Sequence, residues 1–247
     1  MSNPVLSRTL NQVAEARYET SAAGIEIPVL NTKRMTIEGT MSRTLMLFGV
    51  LLLSGALAWI SGLAVPLLFP AMIVAFGLAI FASFSKKTRP GLYVAYAVAE
   101  GVFLAGISQL FELMYPGIVQ TAVMATVVTA GVMFFAYQQQ WIKVTNRFRA
   151  VMSYALMGYM AFALVNLGVA IFTGSSAYNT GFGWLIALAG VGLASFTLVM
   201  DFADIEGAVG MGAEESFEWR AAFGLMVTLV WMYIEILRLL AILRGDE

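Results

Sequence analysis

Residues 198–243 read LVMDFADIEGAVGMGAEESFEWRAAFGLMVTLVWMYIEILRLLAIL, and the part from residue 221 onward is long and apolar enough to cross a bilayer. A transmembrane helix needs about 20 mostly apolar residues, each adding roughly 1.5 Å. Glu235 and Arg238 interrupt this run. A carboxylate at the centre of a bilayer costs at least ~2.5 kcal/mol, so it must be paired, protonated or in contact with water. The rest of the chain is therefore expected to enclose it.

The composition of the chain indicates an integral membrane protein. Of its 247 residues, 60% are hydrophobic and only 12% are charged, whereas soluble domains carry about 25% charged residues. The sequence contains neither cysteine nor histidine, which excludes disulfides, thiol nucleophiles, imidazole bases and His/Cys metal sites. A bound metal would be a hard ion held by oxygen. We expect no enzymatic activity and no resident cofactor. We also expect no nucleic-acid partner, since no basic face is present.

Seven apolar segments follow a polar tail that comprises residues 1–43, and the last of them is followed by a short C-terminal tail, residues 244–247. A helix is also compatible with residues 35–42, although a flexible leader explains that segment equally well. We therefore predict an all-α integral membrane domain, residues 44–243, in which the connection between the last two spans starts at residue 206. The predicted spans are residues 44–61, 65–84, 91–113, 117–137, 151–173, 183–205 and 221–243.

The basic residues are distributed asymmetrically along the sequence. Twelve of the fourteen lie in the N-terminal tail or in the second, fourth and sixth connections, and the other three connections contain no Lys or Arg. By the positive-inside rule, the N-terminus is expected to be cytoplasmic. Seven full crossings would place the C-terminus outside, whereas a re-entrant last helix would return it to the cytoplasm.

The acids inside the spans are the candidate functional residues. Asp201 and Asp204 are three residues apart and share one helical face, although Asp204 in particular is also explained as a solvated charge at the end of its span. Glu235 and Arg238 are also three apart, which is consistent with a structural ion pair whose arginine reaches outward. Glu100 has no basic residue nearby in sequence, so it should face the bundle interior or carry a proton.

The sequence resembles a bacterial member of the transmembrane Bax inhibitor motif family over about residues 44–243. Three stretches carry this resemblance: residues 96–108 (YAVAEGVFLAGIS), 198–205 (LVMDFADI) and 233–240 (YIEILRLL). The first resembles the family's third span, with Glu100 as its membrane glutamate. The second resembles the end of the sixth span, with Asp201 as its aspartate. The third resembles the last helix, where Glu235 replaces the usual aspartate.

This resemblance implies a seven-helix bundle with the last helix at its centre, acting as a pH-sensitive calcium leak in the inner membrane of a bacterial cell. In the family, two acids share a proton in the closed state. Carried over, they are Asp201 and Glu235, which would also bind passing Ca²⁺, with Glu100, Asp204 and Arg238 in supporting roles. Two carboxyls at hydrogen-bond distance in an apolar bundle cannot easily both ionise, so a pH-dependent latch between the sixth and seventh helices is physically reasonable.

Other functions remain compatible with a seven-span protein. A non-transporting membrane protein that binds and modulates a membrane protease, or another membrane partner, would share this composition. An intramembrane serine protease would need a histidine base, which the chain lacks. A retinal protein would need a lysine in its last span, and every lysine here lies in a tail or a loop. The calcium leak and the partner-binding protein are the two functions carried forward.

Overall fold

A computed structural model describes residues 33–85 and 87–245 of the chain. Within these residues the protein is all α-helical apart from one 3-10 turn, Ala177–Asn179, and an isolated bridge between Arg34 and Glu214. The helices are α1 (Ile37–Ile60), α2 (Leu68–Phe84), α3 (Pro90–Met114), α4 (Ile118–Gln138), α5 (Asn146–Thr173), α6 (Gly183–Gly210) and α7 (Phe217–Gly245). The predicted all-α bundle of seven helices is confirmed.

Six of these seven helices are long and apolar enough to cross a membrane, and the exception is α2, with 17 residues. Helix α2 starts three residues later than predicted. Residues 65–67 form a turn instead. Helix α7 is one unbroken helix of 29 residues, about 44 Å long at 1.5 Å per residue, which is ample for a full crossing.

Helix α7 lies at the centre of the bundle. It packs against α1, α3, α4 and α6, while α5 lies at the periphery and packs on α6. Two hydrophobic clusters include residues of α7. Ala222 and Met226 belong to the cluster shared with α1, α2 and α3, whereas Leu225 and Leu237 belong to the cluster shared with α4 and α6. The central helix is therefore the element through which both halves of the bundle contact each other.

The connection between α6 and α7 is shorter than the sequence suggested. Helix α6 continues to Gly210 and α7 begins at Phe217, so only residues 211–216 connect them. Gly212 adopts φ 71°, a left-handed conformation that favours glycine, and it reverses the chain there. Both helices extend beyond the predicted spans, because polarity marks the end of an apolar span but not the end of a helix.

Helix α1 begins at Ile37, within the segment predicted as a polar tail. Thr36 caps it, because its side-chain oxygen accepts a hydrogen bond from the backbone N–H of Gly39 at 2.9 Å. For residues 35–42, the sequence was compatible with a helix or with a flexible leader. The structure has a helix there from residue 37, and it is continuous with the first span. Residues 1–32 of the predicted tail lie outside the part of the chain that the structure describes.

Residues 33–36, here called the N-terminal strap, lie along the connection between α6 and α7. The backbone N–H of Met35 donates to the carbonyl of Ala213, and that of Glu215 donates to the carbonyl of Lys33, both at 2.8 Å. The Met35 side chain is buried in a small apolar cluster with residues of α6, α7 and their connection. The strap therefore fixes the start of α1 to the turn that precedes the central helix.

Candidate functional site

Asp201 lies on the face of α6 that contacts the central helix. Its carboxylate accepts a hydrogen bond from the hydroxyl of Thr228 on α7 at 2.6 Å. Across the described residues, no Lys or Arg forms a salt bridge with it. Asp201 thus has a neutral partner, and any negative charge on it is uncompensated by a neighbouring cation.

Asp204, one turn further along α6, is in a different setting. It forms a salt bridge and hydrogen bond with Arg149, near the start of α5, and its side chain is 19% exposed. One turn of α6 therefore separates an acid with a cationic partner from one without. The Arg149 pair also ties the peripheral helix α5 to the bundle, which is a structural role for Asp204.

Glu235 is a buried acceptor for three donors on α5 and α7. It is 3% exposed and accepts hydrogen bonds from the Tyr159 hydroxyl at 2.8 Å and from the Trp231 indole N–H at 3.1 Å. The guanidinium of Arg238 bonds to both carboxylate oxygens, at 3.0 and 2.9 Å. The ion pair predicted within the last helix is confirmed, and it satisfies a charge that would otherwise be costly to bury.

An aromatic side chain from the α5–α6 connection covers this ion pair. The Tyr178 ring centroid lies 4.4 Å from the central guanidinium carbon of Arg238, a cation–π distance. The Tyr178 hydroxyl is 3.1 Å from the Tyr159 hydroxyl. Asn166 of α5 holds the connection in place by accepting a hydrogen bond from the Ala177 N–H at 2.7 Å.

A glycine on α6 makes room for the same group. A Cβ atom added at Gly190 would lie 2.7 Å from a Glu235 carboxylate oxygen and 2.6 Å from the Tyr159 hydroxyl. These distances are too short for a real methyl group. The glycine therefore allows α6 to approach the buried carboxylate closely, which complements the ordinary helix packing expected of small residues in membranes.

Asp201 and Glu235 do not contact each other. Asp201 faces Thr228, and seven residues separate Thr228 from Glu235, about 10 Å along the helix axis. One Ca²⁺ cannot bind both carboxylates directly, because its oxygen ligands lie at about 2.4 Å. The structure does not bring the two acids together as a directly hydrogen-bonded pair, because the sequence motifs place both acids on neighbouring helices without fixing the register between those helices.

Glu100 lies inside the bundle, as predicted, and is 7% exposed. Tyr96, also buried, lies one turn earlier on the same face of α3. The Tyr96 ring packs edge-on against Phe223 of α7 at 5.0 Å. Glu100, one turn further on, therefore lies close to the depth of Thr228, and so of Asp201. Tyr96 contacts the central helix from α3, whereas Asp201 contacts it from α6.

Sequence reasoning missed a third buried acid, Glu218, in the first turn of α7. It is 3% exposed and accepts hydrogen bonds from the backbone N–H of Thr36 at 2.8 Å and from the Thr36 hydroxyl at 3.1 Å. It also forms a salt bridge with Arg43 of α1, which bonds Glu215 at 2.8 Å as well. No local pattern could reveal these contacts, because the partners lie at opposite ends of the sequence.

The relation of the chain to known proteins agrees with this architecture. No curated protein matches the sequence. A family model described as Bax inhibitor 1 like matches residues 3–245, nearly the whole chain and all seven helices. The resemblance carried by the third, sixth and last spans is thereby confirmed. The chain is a multi-pass membrane protein that belongs to the Bax inhibitor 1 like family.

Proposed function

We propose that the protein is a pH-sensitive calcium leak in the inner membrane of a bacterial cell, with a cytoplasmic N-terminus. The observation that carries this proposal is the contact between Asp201 and Thr228 at 2.6 Å, which joins α6 to the central helix without a cation. A carboxyl group in that position changes its interaction with the bundle when it gains or loses a proton. The basic residues of the tail and of the even-numbered connections support the orientation.

Protonation of Asp201 favours the closed arrangement. A neutral carboxyl packs against Thr228 at little electrostatic cost and keeps a hydrogen bond to it. Ionisation leaves a charge that is only partly solvated, and this penalty favours any conformation in which α6 separates from α7 and admits water or a cation. Carboxylate oxygens are the ligands that Ca²⁺ prefers, so the same group serves as proton sensor and as cation ligand.

Glu235 has a different role in this mechanism from the one implied by the shared-proton scheme. Its two bonds to Arg238, at 2.9 and 3.0 Å, make it one half of an ion pair within α7. Its carboxylate belongs to a residue about 10 Å from Thr228 along the helix axis. A cation that left Asp201 would meet this second carboxylate next, and two weak sites in series suit passage better than storage.

Calcium entry into liposomes across about pH 5 to 8 tests the proposal. Wild-type flux should rise with pH, and Asp201→Asn should abolish that rise, because Asn keeps a hydrogen bond but cannot ionise. Thr228→Val is the matched control, since it removes only the partner and should move the midpoint while leaving a response. A pH response unchanged in Asp201→Asn would place the sensor elsewhere, with Glu100 and Asp204 the next residues to examine.

The same experiment separates the two functions that the sequence left open. Folded wild-type protein that shows no calcium flux at any pH would refute the leak. The remaining proposal would then be a non-transporting protein that binds a membrane protease or another membrane partner.

A further inference from the structure

We propose that Glu235, Tyr159 and Tyr178 form a binding site for a guanidinium or ammonium cation, and that the chain fills this site with its own Arg238. We call these three residues the cation cage. The guanidinium of Arg238 contacts both the Glu235 carboxylate, at 2.9 and 3.0 Å, and the face of the Tyr178 ring, at 4.4 Å. One carboxylate opposite one aromatic face is the arrangement that recognises organic cations.

The cage is organised by residues other than its occupant. Trp231 and Tyr159 donate hydrogen bonds to Glu235 at 3.1 and 2.8 Å, so the carboxylate stays oriented if the arginine is removed. The Tyr178 ring is positioned separately, through its hydroxyl contact with Tyr159 at 3.1 Å. An empty cage would thus present a buried, oriented anion beneath an aromatic ring.

The occupant is tethered but accessible. The Arg238 side chain is 32% exposed, whereas Glu235 beneath it is 3% exposed. Arg238 also contacts Tyr178, which belongs to the connection between α5 and α6 and not to a span, so a cation from solution can approach from that side. If the protein conducts cations, Arg238 blocks the second carboxylate of the path in this conformation. That blocking role rests on the proposed function, but the cage itself does not.

Removal of the arginine and addition of free guanidinium test the cage. In detergent, Arg238→Ala should unfold at a lower temperature than wild type, and guanidinium chloride at low millimolar concentration should raise its midpoint. A concentration of four times the dissociation constant should give a shift of roughly 2–4 °C. Equal NaCl should give no such shift, and wild type should gain nothing, because its cage is filled.

Two further variants keep the test decisive. Arg238→Gln replaces Arg238→Ala if the alanine variant does not fold, and it should show the same guanidinium-specific gain. Tyr178→Leu in either background should remove that gain, since the aromatic face is lost while Glu235 remains. The inference would be overturned if guanidinium raised the unfolding midpoint of the Arg238 variants no more than NaCl does. It would also be overturned if wild type, or a variant that lacks both Arg238 and Tyr178, gained as much.

Calcium flux separates this inference from the proposed function. If both hold, Arg238→Ala should leak faster than wild type, and guanidinium should slow that leak in the concentration range that stabilises the protein. Guanidinium-specific stabilisation without any flux would refute the leak and retain the cage. Flux with no guanidinium effect on stability or on rate would refute the cage and retain the leak.

Discussion

Replacement of Glu218 by alanine is expected to destabilise the junction between the N-terminal strap and the central helix. The carboxylate is 3% exposed, binds the Thr36 N–H and hydroxyl, and pairs with Arg43. Removal of one partner from a buried ion pair costs about 3–5 kcal/mol, because the other charge is left uncompensated. Arg43 retains Glu215 at 2.8 Å, a partly exposed partner, so we expect a loss near the lower limit, about 3 kcal/mol.

Thermal unfolding in detergent, followed by tryptophan fluorescence, measures this loss. For a chain of this size the midpoint should fall by about 6–12 °C. Glu214→Ala is the matched control, because Glu214 is exposed in the same connection and its loss should barely move the midpoint. Combining Glu218→Leu with Arg43→Met should recover much of the stability, since neither charge is then left unpaired. A shift in Glu218→Ala no larger than in Glu214→Ala would refute this reasoning.

Three further outcomes are expected. Gly190→Ala should lower the unfolding midpoint, by the equivalent of about 1–3 kcal/mol, because the added methyl group overlaps the buried carboxylate of Glu235. Gly192→Ala is the control and should be neutral or slightly stabilising, because its methyl group meets no atom within 4 Å. Equal midpoints for the two variants would contradict the packing. Glu100→Gln should be tolerated in expression and folding assays and Glu100→Lys should not, since a buried lysine would lack a countercharge; a well-folded lysine variant would argue against burial. An accessibility reporter after Arg89 should be cytoplasmic and one at Ser176 external, and opposite labelling would reverse the topology.

The number of helices could be predicted from the sequence because each apolar run is a local feature of the chain. Each span is an apolar run bounded by polar residues, and hydrophobic length alone identifies it. Isolated acids inside such runs are equally visible in the sequence, which is why Asp201, Glu235 and Glu100 could be selected from residue type and position alone. The pair formed by Glu235 and Arg238 also follows from spacing along one helix.

Contacts between helices could not be predicted in the same way. The residue opposite Asp201 depends on how far α6 slides along α7, and a sequence motif does not encode that register. If α6 were shifted by two turns along α7, Glu235 instead of Thr228 would lie opposite Asp201. The ring of Tyr178 over Arg238 depends on the path of a polar connection, for which hydrophobic periodicity gives no information. Both contacts depend on where helices and connections lie relative to one another, which residue type alone does not determine.

The contact between Thr36 and Glu218 spans 182 residues, and this separation has a consequence for biogenesis. At synthesis rates of about 5–20 residues per second, roughly 10–40 s pass between the emergence of the first partner and that of the second. During that interval Arg43 and the strap cannot reach their final partners, and a chain that stalls before its last helix never completes the junction. An exposed strap would thus mark an unfinished molecule, and a protease that recognises this segment would degrade incomplete chains and spare finished ones.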